Sequence, residues 1–329
     1  MKNREESAAV SSPMLTSEFL LDHWLPAISA TVRPSTFAGY RGHVVNHIVP
    51  RLGAKPLNQL NGPGLNLLLG TLLSDGNCKR PGALSPVTVR RVYATLHRAL
   101  GDAVRWGLLD NNPADACDPP RCAIVADQIT TWDVDELRRF LDVARDDHLY
   151  ALWFLLATTG LRRGEALGLR WRCVDLEGGA LSIVETLIAV GHRIQSSTPK
   201  SARGRRVVVL DAPTVHVLRA HMDAAVRAVP DDFVFQDERG NPLHPLAVTR
   251  QFRRLVARAH LRSIRLHDLR HTHATLALKA GVHPKIVSER LGHSTVSLTL
   301  DIYSHALPSL QREAAARFAD LVFPNADVP

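Results

Sequence analysis

Residues 116–128, ACDPPRCAIVADQ, show little of the apolar periodicity found on either side of them. Two adjacent prolines in this stretch disfavour a continuous helix or a central strand. In a chain of 329 residues, the segments before and after it are each long enough to bury a core. The stretch therefore predicts a linker, and any fold for this chain has to be built from two domains.

The segment before the linker predicts a helical domain. Residues 1–16 are small and polar, which predicts a disordered lead-in, and helical spacing then runs over residues 17–115. The clearest helix, SPVTVRRVYATLHRALGDAVRWG, has Ser85 as its N-cap and Pro86 in its first turn. Its apolar residues share one face: Val89, Val92, Leu96, Leu100 and Ala103. Its arginines fall mainly off that face: Arg90, Arg91, Arg98 and Arg105.

The segment after the linker, residues 129–310, combines helical and strand-like patterns. A helix is predicted in TWDVDELRRFLDVA, with Thr131 and Glu136 near its N-terminus, and a buried helix, YALWFLLATTG, ends at Gly160. Strand-like runs follow at ALSIVETLIAV, RRVVVL and FVF, and helices return over residues 246–260 and from His267. The predicted fold class is therefore mainly α, with a small antiparallel β-sheet in the second domain.

Residues 311–329 are predicted to form a C-terminal helix and tail. The segment SLQREAAARFADLVF carries an apolar stripe at helical spacing, made by Leu310, Ala314, Phe318 and Leu321. Such a stripe either packs against its own domain or docks on a neighbouring molecule.

The charge of the chain indicates a polyanionic partner. Its net charge is +8, and nucleic acid is the commonest partner of basic proteins. Basic residues are concentrated in two runs, since residues 193–206 contain no acid and residues 250–270 contain seven arginines and one aspartate. One such run is typical of a solvated charged face, but two together favour a surface that faces phosphates.

Several classes of protein are excluded by what the sequence lacks. The cysteines are widely spaced, without a CxxC pair: Cys78, Cys117, Cys122 and Cys173. Neither a disulfide framework nor a thiolate zinc site is indicated. The N-terminus lacks the apolar core of a signal peptide, and no run of about 18 apolar residues occurs. We expect a cytoplasmic protein that does not contact a membrane.

Residues 266–276, LHDLRHTHATL, allow three interpretations. His267 and His271 have the spacing of two zinc ligands, but Arg270 lies between them, and a fixed cation repels a dication. A packing interpretation makes a core stripe of Leu269, Leu276 and Ala280. A phosphate cradle explains HxxR better, because guanidinium supplies paired donors and imidazole carries a proton near neutral pH. His271 shares the face of this pair, and His273 lies on another and is expected to be structural.

Four further motifs supply groups of matching chemistry. Arg162 lies in TTGLRRGEALGLRW, in a turn after the buried helix, and Glu165 lies in the helix that follows. Lys200 lies in STPKSARGRR between two predicted strands, His293 follows a glycine in ERLGHST, and Tyr303 lies in LTLDIYSH. Taken singly, each residue is typical of an ordinary surface or core position.

In this order and at these separations, TGLRRGE, the hairpin lysine, HDLRHTHAT, LGH and DIYSH resemble the tyrosine recombinase (phage integrase) family. The resemblance covers roughly residues 17–310. It implies a helical, SAM-like core-binding domain at 17–115 and an α+β catalytic domain at 129–310. It also implies an active enzyme, because none of the family's usual positions is replaced.

The catalytic set implied by the resemblance is Arg162, Lys200, His267, Arg270, His293 and Tyr303. Arg162 and Arg270 resemble the family's phosphate-binding arginines, and Glu165 resembles the acid that supports the site. Lys200 resembles the hairpin lysine, although the nearby Arg203, Arg205 and Arg206 compete with it in alignment. Tyr303 resembles the nucleophile.

The implied reaction is attack of the Tyr303 hydroxyl on a DNA phosphodiester, which leaves a 3′-phosphotyrosyl link and a free 5′-hydroxyl. His267, the histidine of HxxR, is expected to accept the tyrosine proton. Lys200 is expected to protonate the leaving oxygen, and His293 occupies the position held by His or Trp. No cofactor is implied, and no metal ion, because cationic and protic groups surround the phosphate.

The implied partner is double-stranded DNA, bound by a homotetramer on two DNA sites, with accessory DNA-bending proteins and a prokaryotic, nucleoid-associated location. Residues expected to contact DNA are Arg90, Arg91, Arg98, Arg203 and Arg205. Integration of a phage or mobile element is favoured over chromosome-dimer resolution by a Xer-like enzyme. The alternatives are a non-catalytic DNA-binding protein on the same fold, a histidine-metal hydrolase and a type IB topoisomerase.

Overall fold

A computed structural model of the chain describes residues 13–78, 81–121, 130–191, 193–197, 204–225 and 229–293, with short stretches at 295–296, 315–316, 318–319 and 321–323. Most of the predicted lead-in, most of the linker and most of the C-terminal segment lie outside the described residues. The chain divides into two compact units, residues 1–124 and residues 125–329. Within the described ranges, no helix has both the length and the apolar character needed to cross a membrane.

The first unit is built from helices. They are α1 (Thr16–Glu18), a π-helical segment (Phe19–Trp24), α2 (Leu25–Ile28), α3 (Pro34–His43), a second π-helical segment (Val44–Ile48), α4 (Val49–Leu52), α5 (Gly62–Asp75) and α6 (Pro86–Arg105). Short 3₁₀ turns follow α4 and α6, at Leu57–Gln59 and Pro113–Ala116.

Helix α6 is the central helix of this unit. The Ser85 hydroxyl accepts the backbone N–H of Thr88 at 3.2 Å, which confirms the predicted N-cap. All five residues of the predicted apolar face are buried, as helical periodicity requires. The indole N–H of Trp24 donates to the Asp102 carboxylate at 2.8 Å, so these two buried polar groups satisfy each other.

The second unit contains seven described α-helices and a 3₁₀ turn at Trp171–Cys173. The α-helices are α7 (Val134–Ala144), α8 (Tyr150–Thr159), α9 (Arg163–Leu167), α10 (Ala212–Asp223), α11 (Pro245–Arg258), α12 (Asp268–Lys279) and α13 (Pro284–Leu291). The N-terminus of α7 lies near Thr131 and Glu136, as predicted, and its N-cap is Asp133, which forms a reciprocal capping pair with Glu136. Helix α8 is buried nearly all round and packs against α10 and α12. It ends at Gly160, as predicted.

Five short strands accompany these helices: β1 (Val174–Asp175), β2 (Ala180–Ile183), β3 (Thr186–Val190), β4 (Arg193–Ser197) and β5 (Arg206–Val209). One antiparallel sheet has the order β1-β2-β5, and β3 pairs with β4 in a second antiparallel ladder. A mainly α fold with small antiparallel sheets in the second unit confirms the predicted fold class.

The prediction of a strand at FVF was wrong. Phe233 forms only an isolated bridge with Arg170. The next two residues, Val234 and Phe235, are buried in the core, and Phe235 stacks on the His221 ring. Burial of a short apolar run, and not a strand ladder, accounts for its composition.

Gly160 connects α8 to the segment that carries Arg162, and this position requires glycine for two reasons. Its φ is +64°, a left-handed conformation that side chains disfavour. A Cβ placed there would also lie 2.6 Å from Leu291 Cδ2 and 2.8 Å from His273 Cδ2. The close approach of α8, α12 and α13 therefore depends on this glycine.

We predict that Gly160→Ala lowers the free energy of unfolding by about 3 kcal/mol, from backbone strain and overpacking together. Gly281→Ala is the matched control, because its φ is +80° but nothing lies within 4 Å of the added Cβ. It should cost only the strain, about 1 kcal/mol. Urea unfolding measures both values, and equal losses would show that packing at Gly160 is unimportant.

Candidate active site

Two of the predicted site arginines meet at the C-terminal end of α13. Arg270 Nη2 donates to the Leu291 carbonyl oxygen at 2.7 Å, and Arg162 Nη1 donates to the same oxygen at 3.4 Å. Arg270 Nη1 also donates to the Gly160 carbonyl at 2.8 Å, and Arg162 Nη2 to the Gly292 carbonyl at 3.2 Å. The two guanidinium groups are therefore neighbours.

The end of α13 explains why arginines gather there. The last carbonyls of a helix have no partner within the helix, and the negative end of the helix dipole favours cations. Arg270 is 3 % exposed, so burial holds its position, whereas the Arg162 side chain is 41 % exposed. The pair thus combines a fixed donor with one that can reach a bound anion.

Glu165 supports Arg162 from the first turn of α9. Its carboxylate accepts the backbone N–H of Arg162 at 2.9 Å and Arg162 Nη1 at 2.8 Å. On the other side it accepts two N–H groups of Arg206, at 2.9 and 3.2 Å. Burial alone raises the pKa of this carboxyl, but the hydrogen bonds of Arg206 and both guanidinium charges bring the pKa below its ordinary value. Glu165 is therefore ionised at neutral pH.

Three histidines contribute neutral rings to the same region. His267 is the N-cap of α12, and its ring lies edge-on to that of His271, with 5.0 Å between the ring centroids. Burial and then the Arg270 charge lower the pKa of His267. Burial lowers the pKa of His271 and of His293 to about 4, and in His293 the charges of Arg270 and Arg162 add to the effect. Near neutral pH these rings are therefore uncharged, and each has one ring nitrogen whose lone pair can accept a hydrogen bond or a proton in transfer.

His273 faces a different part of the unit. Its Nδ1 donates to the Ala157 carbonyl of α8 at 3.2 Å, and its buried Nε2 has no hydrogen-bond partner among the residues that the structure describes. Burial lowers its pKa to about 4. The contacts of His273 are thus those of a packing residue between α12 and α8.

The packing interpretation of the 266–276 segment was only partly right. Leu269 is buried, but Leu276 is half-buried and Ala280 is exposed. The other apolar residues buried in α12 are Ala274 and Leu278, which pack with α13 in a small separate cluster. The metal interpretation gains no support, because the described part of the chain contains no group of three or more potential ligands.

Three predicted site residues lie outside the described residues: Lys200, Arg203 and Tyr303. Their roles rest on the sequence alone. The neighbouring Arg205 is described and its side chain is exposed.

Arg206 is a site residue that sequence reasoning mentioned only as a competitor of Lys200. Its side chain is 8 % exposed and binds Glu165. The side chains of β5 alternate between two faces, which could have indicated this role. Arg206 and the buried Val208 lie on one face, and Val207 and Val209 are exposed on the other. An inward-facing arginine on a half-buried strand requires a buried acid.

The predicted DNA-contacting arginines of α6 differ in whether their guanidinium groups already form contacts within the protein. Arg98 donates to the Tyr40 hydroxyl at 2.9 Å, and its guanidinium lies over that ring. Arg90 donates to the Pro120 carbonyl at 3.3 Å. Arg91 is exposed and forms no side-chain hydrogen bond among the described residues. Of these three, Arg91 presents the most accessible charge.

Comparisons with known proteins define the class to which the chain belongs. The phage integrase family matches residues 130–309, and the N-terminal SAM-like domain of phage integrases matches residues 16–62. The first match alone covers more than half of the chain. The chain therefore belongs to the phage integrase family of tyrosine recombinases, which are site-specific DNA recombinases.

Two relatives illustrate the range of this family. A XerC-like tyrosine recombinase of Caldanaerobacter subterraneus subsp. tengcongensis is 26 % identical, over 92 % of this chain and 82 % of the relative. The integrase of Mycobacterium phage FRAT1 is 28 % identical, over 97 % of this chain and 91 % of the relative. Both similarities extend across the two units.

Solved structures share the fold. The Tn1549 transposon integrase, determined with a circular intermediate DNA, has a TM-score of 0.73 at 20 % identity and covers 93 % of this chain and all of that one. Lambda integrase, determined as a tetramer on a Holliday junction, has a TM-score of 0.68 at 17 % identity, covering 89 % of this chain and 82 % of that one.

We predict that the free energy of unfolding falls as pH decreases from about 6.5 to about 4. The pKa values of His271, His273 and His293 are about 4 in the folded state, against 6.5 ordinarily. Below about pH 6.5 the unfolded chain therefore binds protons that the folded chain does not, and stability is lost.

His273→Gln removes one of these groups without touching the arginines. Between about pH 6 and about pH 5, the free energy of unfolding should fall less steeply in this variant than in the wild type. The two slopes should differ by about 1.4 kcal/mol per pH unit. Urea unfolding at a series of pH values measures both slopes. Equal slopes would show that His273 is not held neutral by burial.

Proposed function

We propose that Arg162 and Arg270 together hold the scissile phosphate of DNA in this recombinase. The observation that carries the proposal is that both guanidinium groups donate to the carbonyl oxygen of Leu291. Two adjacent guanidiniums match the non-bridging oxygens of a phosphodiester, which accept paired donors. The partial exposure of Arg162 supplies the access that the phosphate needs.

These arginines stabilise the transition state more than the ground state. The five-coordinate transition state concentrates negative charge on the non-bridging oxygens, and preorganised donors interact with that charge without reorganising. Removal of one such donor in other enzymes costs about 3 kcal/mol of transition-state stabilisation. Held by helix-end carbonyls, both donors are in place before DNA binds.

Proton transfer is assigned to the remaining groups. A tyrosine hydroxyl has a pKa of about 10, so Tyr303 requires a base to attack at neutral pH. His267, which burial and Arg270 keep neutral, accepts that proton, and Lys200 gives one to the leaving 5′-oxygen. Each step exchanges one phosphate ester for another, as in type IB topoisomerases, so no energy source is consumed.

The assembly follows the same reasoning. Residues 17–115 form a core-binding domain and residues 129–310 a catalytic domain, and both contact double-stranded DNA. Four copies act on two DNA sites, with accessory bending proteins, in the prokaryotic cytoplasm. The solved tetramer of lambda integrase on a Holliday junction supports this stoichiometry. Among the predicted DNA-contacting arginines that the structure describes, Arg90, Arg91 and Arg205 are exposed, and of these Arg90 already donates to the Pro120 carbonyl.

The biological role proposed is integration of a phage or other mobile element. Similarity to the integrase of a mycobacterial phage over 97 % of this chain supports it. The XerC-like relative favours a second candidate, resolution of chromosome dimers. Recombination between an attachment site in the DNA flanking the coding region and a chromosomal site would favour integration, whereas activity on a chromosomal dimer site alone would favour resolution.

We predict that Tyr303→Phe abolishes covalent attachment to DNA but leaves binding intact, because only the nucleophilic oxygen is lost. A nicked suicide DNA traps the adduct, which denaturing gel electrophoresis detects. Tyr150→Phe is the matched control, since Tyr150 is half-buried in α8 and should form the adduct at the wild-type rate. An adduct formed by Tyr303→Phe would overturn the assignment of the nucleophile.

Chelation of divalent cations should leave adduct formation unchanged. The proposed pocket uses guanidinium, ammonium and imidazole groups where other nucleases use metal ions. Adduct formation in EDTA, compared with that in magnesium, measures the effect, and a magnesium-dependent nuclease in the same buffer verifies chelation. Loss of the adduct in EDTA that magnesium restores would contradict the proposal.

A further inference from the structure

Arg206 is buried between the sheet and the end of α13. It is the first residue of β5, and its side chain is on the same face of the strand as the buried Val208. A guanidinium is rarely buried without specific partners, because removal from water is costly. Its contacts therefore indicate what it does.

Those contacts join three elements. Arg206 Nη2 and Nη1 donate to the two carboxylate oxygens of Glu165 in α9, at 2.9 and 3.2 Å. Its Nε donates to the Arg290 carbonyl at the end of α13, at 2.6 Å. Paired donation to a carboxylate is the geometry in which guanidinium binds most strongly and most directionally.

Glu165 consequently lies between two guanidiniums that differ in accessibility. Arg206 is 8 % exposed and Arg162 is 41 % exposed, while Glu165 itself is 4 % exposed. Arg206 can compensate the buried carboxylate on its own side. The Arg162 side chain therefore donates to that carboxylate through Nη1 only, and its Nη2 donates to the Gly292 carbonyl.

We propose that Arg206 is a positioning residue for the recombination reaction. By compensating the charge of Glu165 and binding the end of α13, it keeps the Arg162 guanidinium oriented toward the phosphate. Arg206 itself does not touch DNA in this account. The proposal rests on the proposed function, in which Arg162 holds the scissile phosphate.

Loss of Arg206 has a specific consequence. Glu165 remains buried and ionised, with Arg162 as its nearest remaining cation, and the Arg290 carbonyl loses its donor. The Arg162 guanidinium then rotates into a two-nitrogen pair with Glu165 and leaves the Gly292 carbonyl. A phosphate donor displaced by about 1 Å can slow an enzyme by about 100-fold.

The test is single-turnover formation of the covalent adduct on suicide DNA, with the full chain at saturating concentration. Arg206→Gln should form the adduct about 100-fold more slowly than the wild type, with a DNA dissociation constant changed by less than about threefold. Arg206→Lys, which keeps the charge but not the paired donors, should be intermediate.

Arg170→Gln is the matched control for lost stability. Arg170 forms a two-nitrogen, partly buried ion pair with Glu185 in the same unit. Among the described residues its hydrogen bonds do not involve Arg162, Glu165 or Arg206. It should lower the melting temperature but leave the rate of adduct formation unchanged. An Arg206→Gln rate equal to that of Arg170→Gln would overturn the proposal.

A double variant separates action through Glu165 from an independent role. In Glu165→Gln with Arg206→Gln, no buried carboxylate remains to draw Arg162 away, so the adduct should form at least as fast as in Arg206→Gln alone. A rate reduced by the product of the two single losses would contradict action through Glu165.

Failure of the proposed function is recognised separately. If the proposed function is wrong, the wild type forms no adduct or Tyr303→Phe forms one. Neither result depends on the Arg206 variants. The crystal structure of Arg206→Gln gives a readout without activity, since the Arg162 guanidinium should leave the Gly292 carbonyl and pair with Glu165. An unmoved Arg162 would overturn the inference.

Discussion

The hydrogen bonds that arginines donate to the C-terminal carbonyls of α13 organise the second unit. A helix end leaves carbonyls that must find donors, and here the donors are Arg162, Arg206 and Arg270, from the start of α9, from β5 and from α12. Three segments distant in sequence are thereby brought to one point. Because these donors are charged, the same bonds that complete the fold also create a positive pocket.

The charge balance of that pocket suits an anionic ligand. The buried carboxylate of Glu165 binds Arg162 and Arg206, and Arg270 lies beside Arg162. Burial and the charges of these arginines lower the pKa of the nearby His293. A site of this kind carries an excess of positive charge, which favours an anionic ligand such as the DNA phosphate proposed above. Membership of the phage integrase family and the geometry of the pocket thus lead to the same chemistry.

Much of this could be predicted from the sequence, because local patterns determine it. The apolar face of α6, the glycine that ends α8 and the mainly α fold with small antiparallel sheets all follow from periodicity and capping. The role of Arg206 could not, since it depends on a contact with Glu165 across the fold. FVF resembled a strand because composition does not distinguish buried loop residues from strand residues.

The central claim is that one DNA phosphate binds between Arg162 and Arg270 at the end of α13. The most direct measurement is a crystal structure of the protein on nicked duplex DNA. The account predicts that non-bridging oxygens of a single phosphate accept hydrogen bonds from both guanidiniums, with His267 and Tyr303 beside it. A structure in which no phosphate contacts both arginines, or in which a metal ion holds the phosphate there, would contradict it.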